Sequence, residues 1–217
     1  MALNQKKLQK KKAKQAAKSK ARKRVQKKKD LLGTFSRNLA IHQAFKAPVY
    51  ECWEAEQLFD QDSHSGIGLV MITRKSSNGN IVASVFLVDV YCLGVKNCFV
   101  KVLNEENYPS FLEEVNRQGI LKKIHPTCAR KLIEEAGKYA ADLGFSPHKD
   151  YQEAKRIFGD IDSVACPRSF QFGKDGKPFY IAGPYDKPSF VKNVANKLAK
   201  KCGPDGFHYL TPVDDSF

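Results

Sequence analysis

Residues 67–91 decide the fold, and they read IGLVMITRKSSNGNIVASVFLVDVY. Two runs rich in β-branched residues, 67–73 and 81–91, flank a polar segment that contains Asn78-Gly79. An Asn-Gly pair between two such runs is the strongest short-range signal for a β-hairpin. The second run is apolar at consecutive positions, which indicates a central strand that is buried on both faces.

Further strand patterns lie on both sides of this hairpin, and helical patterns follow it. Residues 49–53 alternate in polarity, and residues 97–103 form another β-rich run after a Gly bend. Apolar residues at helical spacing, Pro in first turns and Gly at the ends predict four helices. These helices cover residues 108–118, 126–143, 147–158 and 188–201.

The C-terminal third predicts a second hairpin and a closing strand. Residues 170–172 and 179–181 flank an Asp175-Gly176 turn, and residues 207–210 form the closing pattern. Because strands come first and helices next, the sequence predicts an α+β fold. In this fold several helices pack on an antiparallel sheet, and a basic arm that is disordered or helical precedes it.

The turns of this third leave two interpretations open. Lysines lie beside Phe179, Tyr180 and Tyr185. Exposed rings next to cations are typical of a nucleic-acid contact surface. The alternative is two ordinary turns whose aromatic side chains belong to the core.

Charge is distributed very unevenly along the chain. The 217 residues contain 37 Lys and Arg against 23 Asp and Glu, a formal net charge of +14. Residues 1–30 carry 14 of the basic side chains and one acidic one, so their net charge is +13. We therefore divide the chain into a basic arm at 1–30, a linker at 31–47 and a single α+β domain at 48–217.

The basic arm predicts phosphate contacts. It contains no Gly, Pro or aromatic residue, and Lys, Gln and Ala are good helix formers, whereas its like charges oppose a helix. We expect it to be disordered when free and helical once phosphates neutralise it. The candidate nucleic-acid-binding residues are Lys6, Lys7, Lys10, Lys11, Lys12, Lys14, Lys18, Lys20, Arg22, Lys23, Arg24, Lys27, Lys28 and Lys29.

These features predict a nucleic-acid-associated binding protein, with RNA or the ribosome before DNA as the partner. Without aromatic residues, the arm is not expected to stack on single-stranded bases. No run of about 18 apolar residues and no apolar stretch behind the N-terminal charges is present, so we predict a cytoplasmic protein without a membrane partner. A protein-interaction module with a solubilising tail is an alternative.

A metal-dependent nuclease or other phosphoesterase is the enzymatic alternative. Asp89, Asp160 and Asp162 would then be metal ligands, and His125 would be the general base. The competing interpretation makes Asp89 a structural residue that binds a neighbouring loop or Lys96, and gives the other carboxylates ordinary turn roles. Dinucleotide, P-loop and nucleophile motifs are missing from the sequence, so we predict no cofactor and assign no metal site.

The six cysteines form no recognisable motif. They lack C-x-x-C pairs and a His at zinc-finger spacing. We expect reduced thiols, most of them small core residues, because the sequence favours a reducing compartment. The cysteines are Cys52, Cys92, Cys98, Cys128, Cys166 and Cys202.

Three blocks resemble a family of uncharacterised bacterial proteins of unknown function. They are FLVDVYCLGVKN at 86–97, AKRIFGDID at 154–162 and FGKDGKPFY at 172–180. The resemblance covers most of residues 49–210. It implies a bacterial, cytoplasmic protein, and it carries no activity.

Overall fold

The computed structural model describes residues 41–60 and 66–211, together with seven positions of the arm. The chain divides into two compact units, residues 1–42 and 43–217, which we describe separately. The seven arm positions are helical and exposed; they are Gln15, Ser19, Lys20, Arg22, Lys23, Gln26 and Lys27. The other predicted phosphate contacts, which lie outside the described residues, are Lys6, Lys7, Lys10, Lys11, Lys12, Lys14, Lys18, Arg24, Lys28 and Lys29.

An antiparallel five-stranded sheet is the centre of the second unit. Its strand order is β4-β3-β2-β1-β5. The strands are β1 (Val49–Ala55), β2 (Ile67–Lys75), β3 (Ile81–Asp89), β4 (Gly94–Leu103) and β5 (Leu121–Lys123). With the helices packed against this sheet, the structure confirms the predicted α+β class.

The Asn-Gly hairpin forms as predicted. Strands β2 and β3 pair from Ile67 opposite Asp89 to Lys75 opposite Ile81. Gly79 closes the turn with φ +80°, a left-handed conformation that favours glycine. Strand β3 lies between β2 and β4, and eight of its nine residues are buried, so it is the two-sided central strand.

Besides a short helical segment at 41–44 and two further strands, the described residues outside the arm form four α-helices and two 3-10 helices. They are a 3-10 helix at Glu56–Phe59, α1 (Tyr108–Asn116), α2 (Pro126–Asp142), α3 (Tyr151–Ala154), a 3-10 helix at Lys155–Phe158, and α4 (Pro188–Cys202). The predicted helix at 147–158 begins later than expected. The reason is that the His148 N–H donates to the Val95 carbonyl of β4 at 3.0 Å, which holds this residue in a turn.

Helices cover the sheet on both faces. Helix α1 lies on one face, where Met71, Val85 and Phe111 belong to one core cluster. Ser84 alternates with Val85 and therefore points to the opposite face. There its hydroxyl donates to the Ala154 carbonyl of α3 at 3.0 Å.

A buried arginine connects β2 to the segments around it. The Arg74 side chain is 1% exposed. Its guanidinium donates to the carbonyls of Ala47, Ile157 and Phe158 and to Asp160 Oδ1, the last at 2.7 Å. A buried cation is tolerated only when its donors are satisfied, and these bonds provide the partners of the guanidinium. They also link the second 3-10 helix to the sheet.

The prediction of a second hairpin is wrong for its strands and correct for its turn. Strand β6 (Phe179–Ile181) pairs in parallel with β7 (His208–Leu210), and not with residues 170–172. The segment before β6 is held elsewhere, because the Gly173 and Phe179 N–H groups donate to the carbonyls of residues 90 and 91. Only the tight turn remains, and in it Lys174 and Lys177 exchange two hydrogen bonds.

Helix α4 is anchored on the end of α2. Val194 and Leu198 share a core cluster with Leu143, Cys92 and Tyr180. The predicted helix at 188–201 and the predicted closing strand are therefore both present. Among the described residues, no helix is long and apolar enough to cross a membrane.

Candidate nucleic-acid interface

A cleft of about 950 Å³ opens between the first 3-10 helix, the end of β3 and the loop at 168–176. We call it the aromatic–basic cleft, after four rings and two cations that line it. They are Phe59, Tyr91, Phe170, Phe172, Arg168 and Lys174. Its volume is within the range of ligand-binding clefts.

Cations lie over aromatic rings in this cleft. The Arg168 guanidinium is 5.0 Å from the centre of the Phe170 ring. The Lys174 ammonium is 5.9 Å from the Tyr91 ring and 5.7 Å from the Phe179 ring. These distances allow cation–π attraction, which holds positive charge next to flat apolar surface.

The aromatic rings themselves are stacked and partly accessible. Phe59 and Phe170 are 5.4 Å apart with an interplanar angle of 24°. Phe172 stacks on Tyr139 of α2 at 5.5 Å. Phe59, Phe170 and Phe172 are all half-buried, so part of each ring faces solvent.

A buried carboxylate positions Arg168. The Glu54 side chain on β1 is 2% exposed, and its Oε1 accepts from Arg168 Nη1 at 2.8 Å. Its Oε2 has no hydrogen-bond partner among the described side chains and backbone groups. A buried charge needs an opposite charge, so Glu54 fixes the guanidinium at the edge of the cleft.

The loop that carries Arg168 is also tied to α2. Cys128 and Cys166 form a disulfide between the first turn of α2 and this loop. The Lys131 ammonium donates to the Arg168 carbonyl at 2.7 Å. One wall of the cleft is thereby attached to a long helix by a covalent bond and a hydrogen bond.

The disulfide corrects the expectation of six reduced thiols. Cys52, Cys92, Cys98 and Cys202 are free, and the first three are buried as small core residues. Burial raises the pKa of Cys52 to about 12, so this thiol is unreactive at neutral pH. The other two cysteines pair because α2 and the loop bring them together, although 38 residues separate them in sequence.

A glycine is required where the loop passes α2. A Cβ atom on Gly173 would lie 2.7 Å from the Lys177 carbonyl oxygen and 2.9 Å from the Tyr139 hydroxyl. The residue also has φ +80°, which favours glycine. The loop therefore approaches α2 closely enough for Phe172 to stack on Tyr139.

Asp175 adds a negative charge to the rim of the cleft, where it is exposed. Burial and, after it, the charge of Asp175 raise the pKa of the Tyr91 hydroxyl, so the phenol stays neutral at physiological pH. The described lining of the cleft thus combines neutral rings, two cations and the exposed carboxylate of Asp175.

The structure places Asp89 in a structural role. Its Oδ1 accepts from the backbone N–H groups of Tyr91 and Cys92, both at 2.9 Å, and so caps the turn after β3. Burial raises the pKa of this carboxyl to about 6, an effect that the charge of Lys96 and the backbone hydrogen bonds partly oppose. Asp89 therefore binds its neighbouring loop, as the structural interpretation predicted.

The other two candidate metal ligands and the candidate general base have local partners. Asp160 binds Arg74, which lowers the pKa of that carboxyl. Asp162 accepts from the Val164 N–H at 2.9 Å. His125 Nδ1 lies 2.7 Å from the Thr127 hydroxyl.

These candidates do not assemble into a metal centre. Within residues 41–60 and 66–211 and the described arm positions, no group of three or more His, Cys, Asp or Glu side chains is placed to hold a metal ion. Three carboxylates that pair with their own surroundings provide no shared cation site.

The aromatic residues of the C-terminal third divide between core and surface. Tyr180 is fully buried, and its hydroxyl donates to Asp186 at 2.8 Å. Phe179 is half-buried against Lys174, whereas Tyr185 is exposed. The interpretation that places these rings in the core is therefore confirmed for Tyr180 and wrong for Tyr185.

Sequence reasoning missed Phe59, Phe170, Glu54 and Arg168 as site residues. Only the pattern of Lys beside Phe and Tyr pointed to this loop. The partner of Arg168 lies 114 positions away, and no sequence pattern joins the two.

Comparisons with known proteins add no relative. No family model matches the chain, and no curated protein or solved structure matches it either.

Proposed function

We propose that the protein associates with nucleic acid, RNA or the ribosome before DNA, and that its basic arm supplies the phosphate contacts. The observation that carries this proposal is the concentration of charge: residues 1–30 hold a net charge of +13, and the other 187 residues hold +1. A block of positive charge attracts a polyanion and releases its counterions.

The folded unit supports the proposal by contrast. Many of its cations already have internal partners: Arg74 binds carbonyls and Asp160, Arg130 binds Glu134, and Lys75 binds Glu105. The described arm cations are exposed. External phosphates are therefore expected to bind the arm first.

The experiment compares the full-length protein with a full-length variant in which all fourteen Lys and Arg of the arm become Gln. Fluorescence anisotropy would follow binding of a labelled RNA oligonucleotide over a salt series. Contacts with six or more phosphates make affinity fall by more than about a hundredfold between about 50 and about 200 mM salt. The Gln variant should bind weakly and lose most of this salt dependence.

A second full-length variant with the same arm residues in scrambled order is the matched control. It keeps the charge and should bind as the wild type does, because phosphate contacts do not depend on the order of the side chains along the arm. Wild-type affinity and salt dependence in the Gln variant would refute the proposal.

We place the protein in the bacterial cytoplasm as part of the same proposal. The Cys128–Cys166 disulfide makes this placement testable, since stable disulfides are rare in reducing compartments. In that compartment, thiol trapping in intact cells should find these two cysteines reduced, and the bond of the structure should form only when the purified protein is oxidised. Complete oxidation in the cell would contradict a cytoplasmic location.

A further inference from the structure

We propose that the aromatic–basic cleft binds unpaired nucleobases of single-stranded RNA by stacking. This inference rests on the proposed nucleic-acid association and adds the binding mode of the folded unit. It assigns base contacts to the cleft and leaves sequence-independent phosphate contacts to the arm.

The rings of the cleft provide the stacking surface. Phe59 and Phe170 form a nearly parallel pair, and both are half-buried. Phe172 is held against Tyr139, with its loop fixed by Gly173. Flat, pre-positioned rings that remain partly accessible are the feature on which unpaired bases stack in single-strand-binding proteins.

The two cations suit the phosphates on either side of a stacked base. Arg168 and Lys174 lie within 6 Å of ring centres and are both part of the cleft lining. Glu54, and the Lys131 ammonium that donates to the Arg168 carbonyl, hold Arg168 in place before any ligand binds. Such pre-organisation lowers the entropy that binding costs.

The ligand class follows from these groups together. Rings alone would accept any flat apolar molecule, and cations alone would accept any anion. A nucleotide with an unpaired base presents a flat ring and a phosphate a short distance apart. A duplex hides its bases in its own stack, so the cleft should discriminate against it.

The test measures binding of the full-length protein to a labelled oligouridine and to a blunt RNA duplex of the same length. In Phe170→Leu the bulk of the side chain remains and the ring face is lost. One stacking contact strengthens affinity by about fivefold to tenfold, or by more. Oligouridine binding should therefore weaken by at least roughly fivefold. Duplex binding should change by less than about twofold.

Phe99→Leu is the matched control for the ring, because Phe99 is also partly exposed but lies on β4 and does not line the cleft. For the charge, Lys174→Gln is compared with Lys101→Gln. In the wild type the Lys101 ammonium also lies over a ring, that of Phe111. Arg168 is left intact, because its removal would take the hydrogen-bonded cation away from buried Glu54 and leave only the more distant Lys122 ammonium, at 3.9 Å. Circular dichroism and thermal melts establish that each variant is folded.

The outcomes separate this proposal from that of the arm. Loss of oligouridine affinity in Phe170→Leu and Lys174→Gln, with unchanged duplex affinity and unchanged controls, supports the cleft. Equal losses for both ligands, or no loss relative to the controls, overturns it while the arm proposal stands. If the Gln arm variant retains wild-type salt dependence and Phe170→Leu still loses oligouridine, the arm proposal fails and the cleft remains. An oligodeoxyuridine of the same length keeps the base and lacks only the 2′-hydroxyl, so it shows whether the ribose contributes, and binding tighter than that of oligouridine overturns the assignment to RNA.

Discussion

The arm and the folded unit use positive charge in opposite ways. In the arm, fourteen cations occupy 30 residues beside a single carboxylate and no aromatic ring. In the folded unit, Arg74 is buried among carbonyls and Arg168 is fixed by a buried glutamate. We expect a cation in the arm to add little to the stability of the fold, whereas Arg74 is part of the core and Arg168 is bound to a buried side chain.

Net charge alone therefore does not show where a binding surface lies. The value of +14 describes the arm almost entirely, yet the nearly neutral unit contains cations placed beside aromatic rings. Changes in the free energy of unfolding should distinguish the two kinds of cation.

The largest expected effect is at Arg74. In Arg74→Met three buried carbonyls lose their donor, and we expect the free energy of unfolding to fall by about 3–5 kcal/mol. Urea denaturation followed by circular dichroism measures this change. Asp160→Asn is the matched control, since its carboxylate is 87% exposed and the carbonyl bonds remain; it should cost no more than about 1 kcal/mol. Equal effects of the two substitutions would show that the ion pair, and not the buried bonds, holds Arg74.

The disulfide comes second. Closing a loop over 38 residues should stabilise the oxidised protein by about 3–4 kcal/mol. Cys128→Ser, Cys166→Ser and the double variant should therefore lose similar amounts, and adding a dithiol reductant should lower the wild type to the same level. Two results would contradict the presence of the bond. One is that the losses of the two single variants add up in the double variant, and the other is that the reductant leaves the stability of the wild type unchanged.

Asp89 should have a smaller, pH-dependent effect. Its carboxyl has a pKa of about 6 in the folded protein and 3.8 as the unperturbed reference, so the folded state holds the proton more tightly. The contribution of this group to the free energy of unfolding is therefore greatest below about pH 4. It is lost as the pH rises through about 6, and the loss amounts to roughly 2–3 kcal/mol. Urea titrations between pH 4 and pH 8 should show this loss in the wild type and not in Asp89→Asn. Parallel pH profiles for the two proteins would refute it.

The smallest effect on stability is expected in the arm. Neutralising all fourteen of its cations should change the free energy of unfolding by less than about 0.5 kcal/mol, although it should abolish most nucleic-acid affinity. The same urea titration measures it. A loss of 2 kcal/mol or more would mean that arm cations also belong to the fold, and the comparison would fail.

The main elements of the fold were predictable because they depend on local patterns. The Asn-Gly turn, the doubly apolar β3 and the Pro-led helices α2 and α4 all follow from neighbouring residues. The parallel pair of β6 and β7 was not predictable, since its partners are far apart in sequence. The same holds for β5, a three-residue strand that local propensity does not mark.

The candidate site was less predictable than the fold. The apolar strand around Asp89 indicates an unusual buried carboxylate, but it leaves a metal-ligand role and a structural role both open, and the turn contact is visible only in the structure. The cleft depends on long-range pairs: Glu54 with Arg168, Phe59 with Phe170, and Cys128 with Cys166. Each pair becomes visible only when the sheet and α2 bring distant segments together.

The Cys128–Cys166 bond makes a covalent ring of the chain between these residues. The ring contains most of α2, all of α3 and the second 3-10 helix. A protease that cuts once in the exposed segment around residues 162–165 would open the ring without separating the two halves of the protein. The nicked chain should run as one band on a non-reducing gel and as two after reduction, and the loop that carries Arg168 would stay attached to α2 after the cut.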